Sequence, residues 1–394
     1  MRLSGGSVLD ARHGEIHRSD VVIDGNLIAD VGEDLEGDVV VDCTGLTLVP
    51  GLIDCHAHVT FQSLSYPTDV PPSYRLLRAV PDLRRTLTLG VTTVRDAWGA
   101  DAGLRDAIEA GLVDGPRLLV SLAQLCGTGG IGDHFGMGVG EMEALLGSPW
   151  LPRGVFDGVE QARRAVRTMI RSQADVIKVT VSGSATDVDA AHHQHISDDE
   201  LAEIVAEAGR HGRHVMAHAH GARAAEAAAR AGARSIEHGW FLDETAVEAM
   251  LESGTWLVPT LTPALRDEID DESPEWMRLA AEAAPQSFRL AYEAGVPIAM
   301  GTDWVGPADS TRIDELAFMH QLGMAALQVW RSATVDAADL LDRQDLGLIE
   351  AGRRADIVAI EGSVMEFNDI SSRVVRVWKD GRAIPMAAST EGQS

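Results

Sequence analysis

The sequence predicts an α/β protein: a (β/α)8, TIM-like barrel over residues 50–345, with a small β-sandwich domain built from both chain ends, residues 1–49 and 346–394. Three observations carry this. The middle of the chain alternates apolar strand patterns with longer helical ones, and eight strands can be counted. Both ends read instead as short β segments separated by turns. A chain of 394 residues is long enough for one large domain and one small one.

From the N-terminus, β segments are expected at 7–9, 21–26, 27–31 and 39–42. Asp24-Gly25-Asn26 between apolar runs is a hairpin signal. The tail repeats this character at 355–360 and 374–382. In the middle, the first strand runs into His56, and others are expected at 91–96, 117–121, 176–181, 214–220, 235–238, 255–259 and 297–303. Helical patterns lie between most of them, for example at 198–209 and 222–231. Ser197-Asp198-Asp199-Glu200 reads as a capping box at a helix start.

Composition narrows the function. Hydrophobic residues make up 45% of the chain, and the mean hydropathy is near zero, as in a globular protein with a sizeable core. No apolar run reaches the roughly 18 residues that a membrane span needs, and the start lacks the apolar stretch of a signal peptide. A formal charge of −27 argues against nucleic acid or an anionic membrane as partner. Three cysteines, Cys43, Cys55 and Cys126, form no CxxC pair, which fits a reducing cytoplasm. Only Lys178 and Lys379 are lysines, so a lysine inside an apolar strand stands out.

The chemistry gathers at strand ends. In a barrel of this type, active-site residues sit at the C-terminal ends of the strands. His56 and His58 are two residues apart and share one strand face, a spacing that suits two imidazoles on one metal ion. The fourth strand carries Lys178, the fifth His218 and His220, the sixth His238 and the eighth Asp303. Any one of them alone would read as a satisfied core side chain; together, at one level, they point to a metal centre. Lys178 sits in DVIKVTV, where a buried ammonium is costly unless paired. Its bland alternative is a salt bridge to a barrel acid.

These segments resemble the metal-dependent amidohydrolase superfamily, within it the prolidase-like carboxypeptidases and Xaa-Pro dipeptidases, a branch related to imidazolonepropionase. The resemblance rests on VPGLIDCHAHV, TTVRDAWG, GPRLLVSLAQLCGTGGIGDH, DVIKVTVSGS, HVMAHAHG, SIEHG, MGTD and DLGLIEAGRRADIVAI, in family order from about 48 to 360. It implies a metal-dependent hydrolase with two divalent ions, Zn²⁺ foremost. His56, His58 and Asp303 would hold one ion, His218 and His238 the other, and Lys178, carboxylated on its amine, would bridge them. Asp303 would also shuttle the proton, and His220 and His134 would contact the substrate carbonyl. His134 is displaced from the family's Thr-Gly-Gly-His-Gly pattern by the insertion in Thr128-Gly129-Gly130-Ile131-Gly132-Asp133-His134.

The implied substrate is a dipeptide or N-acyl amino acid, and a homo-oligomer is the family expectation. A free α-carboxylate needs a cationic or amide contact, for which Arg95, Arg223 or loop amides are candidates. The rival reading is a mononuclear cyclic amidohydrolase or deaminase. Deaminases of this superfamily lack the bridging lysine and carry a glutamate shortly after the strand-five histidine. A non-catalytic binding protein is a further alternative, opposed by the full set of ligand positions.

Overall fold

The computed structural model describes residues 1–61, 71–133, 135–136, 140–141, 151–267, 269–270 and 272–386. Parallel strands Leu52–Ala57, Val91–Asp96 and Arg117–Val120 form one sheet in that spatial order. A second parallel sheet runs Gln124–Leu125, Ile177–Thr180, Val215–Gly221, Ser235–Phe241, Trp256–Val258. Hydrogen bonds join the two. Asp175 N donates to Val120 O at 2.8 Å, and segment 297–304 lies between Trp256–Val258 and Leu52–Ala57. There Ala299 N donates to Leu257 O at 3.0 Å and Cys55 N to Met300 O at 2.9 Å. This is the α/β, TIM-barrel-type arrangement that the strand count predicts.

The expected eighth strand is not a regular one. Its pairing reduces to isolated bridges, Leu257 with Ile298 and Ala57 with Trp304. The reason is local: Thr302 N and Asp303 N both donate to His56 O, at 3.0 and 2.7 Å, and Asp303 turns to φ +49. Two donors on one acceptor break the regular ladder at this point, and pairing resumes only at the Ala57–Trp304 bridge. Gly301 permits the approach, because a Cβ there would lie 2.3 Å from Val258 Cγ1 and 2.9 Å from His56 Cβ.

The helices follow their sequence signals closely. Asp198–Arg210 starts at Ser197, whose side chain accepts from Glu200 N while the Glu200 carboxylate accepts from Ser197 N. It buries Leu201, Ile204 and Ala208, one stripe at helical spacing. Ala222–Ala231 buries Ala224, Ala225, Ala228 and Ala229, small side chains that let it lie close against the sheet. It stops at Gly232 in the left-handed region, as a C-terminal glycine does.

The chain ends form two more sheets. One has four strands, in the order Leu27–Gly32, Asp20–Asp24, Arg2–Ser4, Val40–Asp42. The other has six, in the order Arg382–Ala383, Val374–Lys379, Ile357–Glu361, Leu46–Pro50, Ser7–Asp10, Glu15–Arg18, so N- and C-terminal strands pair directly. The Asp24-Gly25-Asn26 hairpin forms, with Asp24 opposite Leu27 and Gly25 at φ +58. Leu3, Val21 and Ile23 from the first sheet and Val8, Leu48, Ile357 and Trp378 from the second bury one shared apolar cluster. Arg117, at the foot of a central strand, clamps this region through Asp356 and Asp380, both at 2.7 Å.

Candidate metal centre and active site

His56 is placed by the acid two residues before it. Asp54 is fully buried and accepts from His56 N at 3.2 Å, Thr302 N at 3.0 Å, Thr302 Oγ1 at 2.7 Å and Arg312 Nη2 at 3.2 Å. One carboxylate thus ties the first strand end to the segment that carries Asp303. The strand-two acid Asp96 does the same for the next loop, accepting from Val59 N, Trp98 N and Ala100 N at 2.9–3.1 Å.

The imidazoles come together as alternation requires. His56 and His58 ring centroids are 5.5 Å apart, and those of His218 and His220 are 4.7 Å apart. His238 links the pairs, 4.9 Å from His56 and 4.5 Å from His218. Ligand atoms of His218, His220 and His238 lie within 4.8 Å of one another, and so do those of His56, His238 and Asp303. The two groups overlap at His238, and either could hold a metal ion.

Tautomers can be read from the acceptors. His56 Nδ1 faces Glu237 Oε2 at 2.6 Å and His58 Nδ1 faces the Trp98 carbonyl at 3.2 Å, so each Nδ1 is the donor. That leaves each Nε2 aimed at Asp303 Oδ1, at 3.4 and 3.1 Å. Acceptors converging on one point need a cation or protons between them, and this donor set fits a divalent metal ion. Lys178 Nζ is buried, and no acid among the described residues is hydrogen-bonded to it.

The electrostatics agree. Burial pulls the Lys178 amine down to about 8, against the charges of Glu237 and Asp303. A neutral fraction near neutral pH is the form that can react with CO₂. Burial holds His218 and His238 well below the usual imidazole range and His220 at about 3, so all three are neutral imidazoles. Burial would raise the Asp303 carboxyl, but the His56 and His58 imidazoles beside it outweigh that and hold it well below the usual carboxylate range. Burial would raise Glu237 too, and the Arg95 charge beside it brings it down to about 2.

The group opens into a cavity of about 690 Å³, lined by His56, His58, Lys178, His218, His220, His238 and Asp303. The structure therefore brings together all six expected metal ligands and His220. His134 lies outside the described residues. The arginines proposed for a substrate carboxylate are placed elsewhere: Arg95 is buried, bonded to Cys55 O, Ser235 Oγ and Glu237, and Arg223 is exposed and lines no part of the cavity. Among the described residues, the arginine that does line it is Arg266. Sequence reasoning also passed over Glu237, although an acid inside the apolar run SIEHG carries the signal that singled out Lys178.

Comparison with known proteins gives three findings of weight. The amidohydrolase family model matches residues 47–384. Ochratoxinase of Aspergillus niger is 32% identical over 360 residues, covering 85% of this chain and 75% of that protein. Crystal structures of a Xaa-Pro dipeptidase with methionine bound in its active site and of a prolidase complexed with N-methylphosphonate-L-proline give TM-scores of 0.86 and 0.85. Each is 33% identical and covers 97% of this chain and 98% of its own.

Proposed function

We propose that this chain, which belongs to the amidohydrolase family, is a metal-dependent hydrolase that cleaves the amide bond of a dipeptide or N-acyl amino acid. The observation that carries the proposal is the convergence on one cavity of five histidines, Asp303 and a buried lysine that has no hydrogen-bond partner among the described residues. The likeness to a prolidase and a Xaa-Pro dipeptidase over nearly the whole chain supports the substrate class.

In this reading His56, His58 and Asp303 would hold one divalent ion and His218 and His238 a second, with Lys178, carboxylated on its amine, as a ligand shared by both. Zn²⁺ suits these ligands. A metal pair supplies Lewis acidity and lowers the pKa of a water toward about 7. Asp303, low in pKa and therefore ionised, accepts the proton of the attacking water and returns it to the departing amine. His220, stacked on His238 at 15°, faces the cavity where it can donate to the substrate carbonyl. His134 is proposed for a similar contact. Glu237 and the Trp98 carbonyl keep His56 and His58 in the tautomer that leaves Nε2 free.

The wider reading is a barrel over 50–345 and an end-built β-sandwich domain over 1–49 and 346–394. The cluster shared by the two terminal sheets supports the sandwich, and the bonds of segment 297–304 support barrel closure. We place the enzyme in the cytoplasm as a homo-oligomer acting on a small molecule, in keeping with its three buried cysteines. Among the described residues no helix is long and apolar enough to cross a membrane.

Metal content per chain, measured for wild type and Lys178→Ala, tests the centre. Two metals falling to one or none is expected. One metal, unaffected by the substitution, would refute the bridged site and favour mononuclear cyclic-amide chemistry.

A further inference from the structure

The same cavity carries an arginine and a wall of indoles that the hydrolytic centre does not use. Four of the chain's eight tryptophans, Trp98, Trp240, Trp276 and Trp304, line it. Arg266 lies over the Trp304 ring, 5.4 Å from its centroid, and Trp304 directly follows Asp303. Arg312 lies over the same ring at 5.8 Å, but it is buried and paired with Asp54 at 3.2 Å. Arg266 is exposed, and among the described residues its guanidinium makes no hydrogen bond; its acidic neighbour Asp267 stands 3.5 Å from Nε.

The backbone under Arg266 is fixed. The short helix Thr262–Leu265 leads into it, and buried Glu315 accepts from Leu261 N at 2.8 Å, Thr262 N at 2.7 Å and Thr262 Oγ1 at 2.7 Å. A planar guanidinium resting on an indole face is ready for a carboxylate, which it can meet with two parallel N–H donors. Of the three acids lining the cavity among the described residues, Asp303 belongs to the hydrolytic centre, Asp309 is engaged by Thr311 N and Oγ1, and Asp267 sits beside Arg266 itself. That leaves little to attract a basic side chain.

We propose that Arg266 anchors the α-carboxylate of the residue released, and that the tryptophan wall encloses its side chain, so that the preferred substrates are N-acyl or N-aminoacyl derivatives of aromatic or large apolar amino acids. This rests on the hydrolytic reading above for the reaction, though not for the binding.

The test pairs turnover with binding. Zinc-loaded wild type, Arg266→Gln and Arg266→Lys are assayed on N-acetyl-L-phenylalanine, its carboxamide and N-acetyl-L-lysine. Binding of L-phenylalanine is measured separately by calorimetry. Wild type is expected to prefer the free acid over the amide, and phenylalanine over lysine. Arg266→Gln should raise KM for the acid about 10- to 100-fold, with a smaller change in kcat, and erase the acid-over-amide preference. Arg266→Lys should recover part of it, and thermal melting should show that both variants fold. If the acid-over-amide preference survives in Arg266→Gln, or lysine derivatives are preferred, the subsite is wrong while the hydrolytic reading stands. Arg266-dependent binding of L-phenylalanine without hydrolysis would uphold the subsite and overturn the reaction. Neither binding nor hydrolysis would overturn both.

Discussion

Removing the charge of Glu237 should damage stability and metal binding together. Its carboxylate is fully buried among three donors: Oε1 accepts from Arg95 Nη2 at 2.9 Å and from Ser235 Oγ, and Oε2 from His56 Nδ1 at 2.6 Å. In Glu237→Gln one oxygen becomes an amide NH₂. If that NH₂ faces His56, the imidazole must accept at Nδ1 and carry its proton on Nε2, aimed at the metal position. If it faces Arg95, two donors collide and a buried guanidinium, 2% exposed, loses its counter-charge. Breaking one side of a buried pair costs about 3–5 kcal/mol, and losing the partner that orients a ligating histidine costs about 10- to 100-fold in metal affinity. Urea unfolding of chelator-treated protein measures the first effect and zinc titration the second. The double variant Arg95→Met/Glu237→Gln should recover part of the stability, because it also removes the orphaned cation, but none of the zinc affinity. A single variant with the wild-type unfolding midpoint and wild-type zinc affinity would refute the relay.

Three further outcomes follow from the geometry. Asp303→Asn should lower kcat by about 10²- to 10⁴-fold if Asp303 moves the proton; steady-state kinetics with unchanged circular dichroism checks this, and undiminished turnover would reassign the shuttle. Gly301→Ala places a methyl 2.3 Å from Val258 Cγ1 and 2.9 Å from His56 Cβ, and should cost about 1–3 kcal/mol in urea unfolding. Burial raises the Glu315 carboxyl to about 8, against its three hydrogen bonds, so the folded state holds a proton that the unfolded chain has released above about 4.5. Its contribution to stability is therefore present at acid pH and lost as pH rises toward 8; unfolding midpoints should show a downward slope over that window, flatter in Glu315→Gln.

The strands that bring chemistry to the site were legible because burial on both faces leaves continuous apolar runs, in which His56, Lys178, His218 and His238 are anomalies. Their convergence followed from one topological rule about strand ends. The eighth segment was misread as a regular strand because Pro297-Ile298-Ala299-Met300 carries the same apolar signal. What breaks the ladder is a shared acceptor at His56 O, which no local pattern encodes. Arg95 was misjudged for a related reason. An arginine at a strand end looks available, and only the fold reveals Glu237 across the sheet interior. Arg266 sits in an irregular stretch after a four-residue helix, where position relative to a cavity has no sequence period.

The backbone at the centre supports a preorganised site on separate grounds. His238, Thr260 and Asp303 all take positive φ, at +76, +46 and +49, without being glycines. Most other non-glycine cases are aspartates in turns, where the short side chain tolerates this region. A bulky or β-branched residue there costs on the order of 1–3 kcal/mol and persists only where its surroundings over-determine it. Here they do: His238 Nδ1 and Thr260 Oγ1 are hydrogen-bonded to each other at 2.7 Å, and Asp303 N is held by His56 O. The strained residues are therefore fixed by one another and by the strand ends. Relaxing one of them, as Thr260→Gly would, should raise thermal stability slightly while weakening zinc affinity, since the relief of strain and the loss of the His238 contact come from the same substitution. Equal losses in both would mean that the strain is incidental to the site.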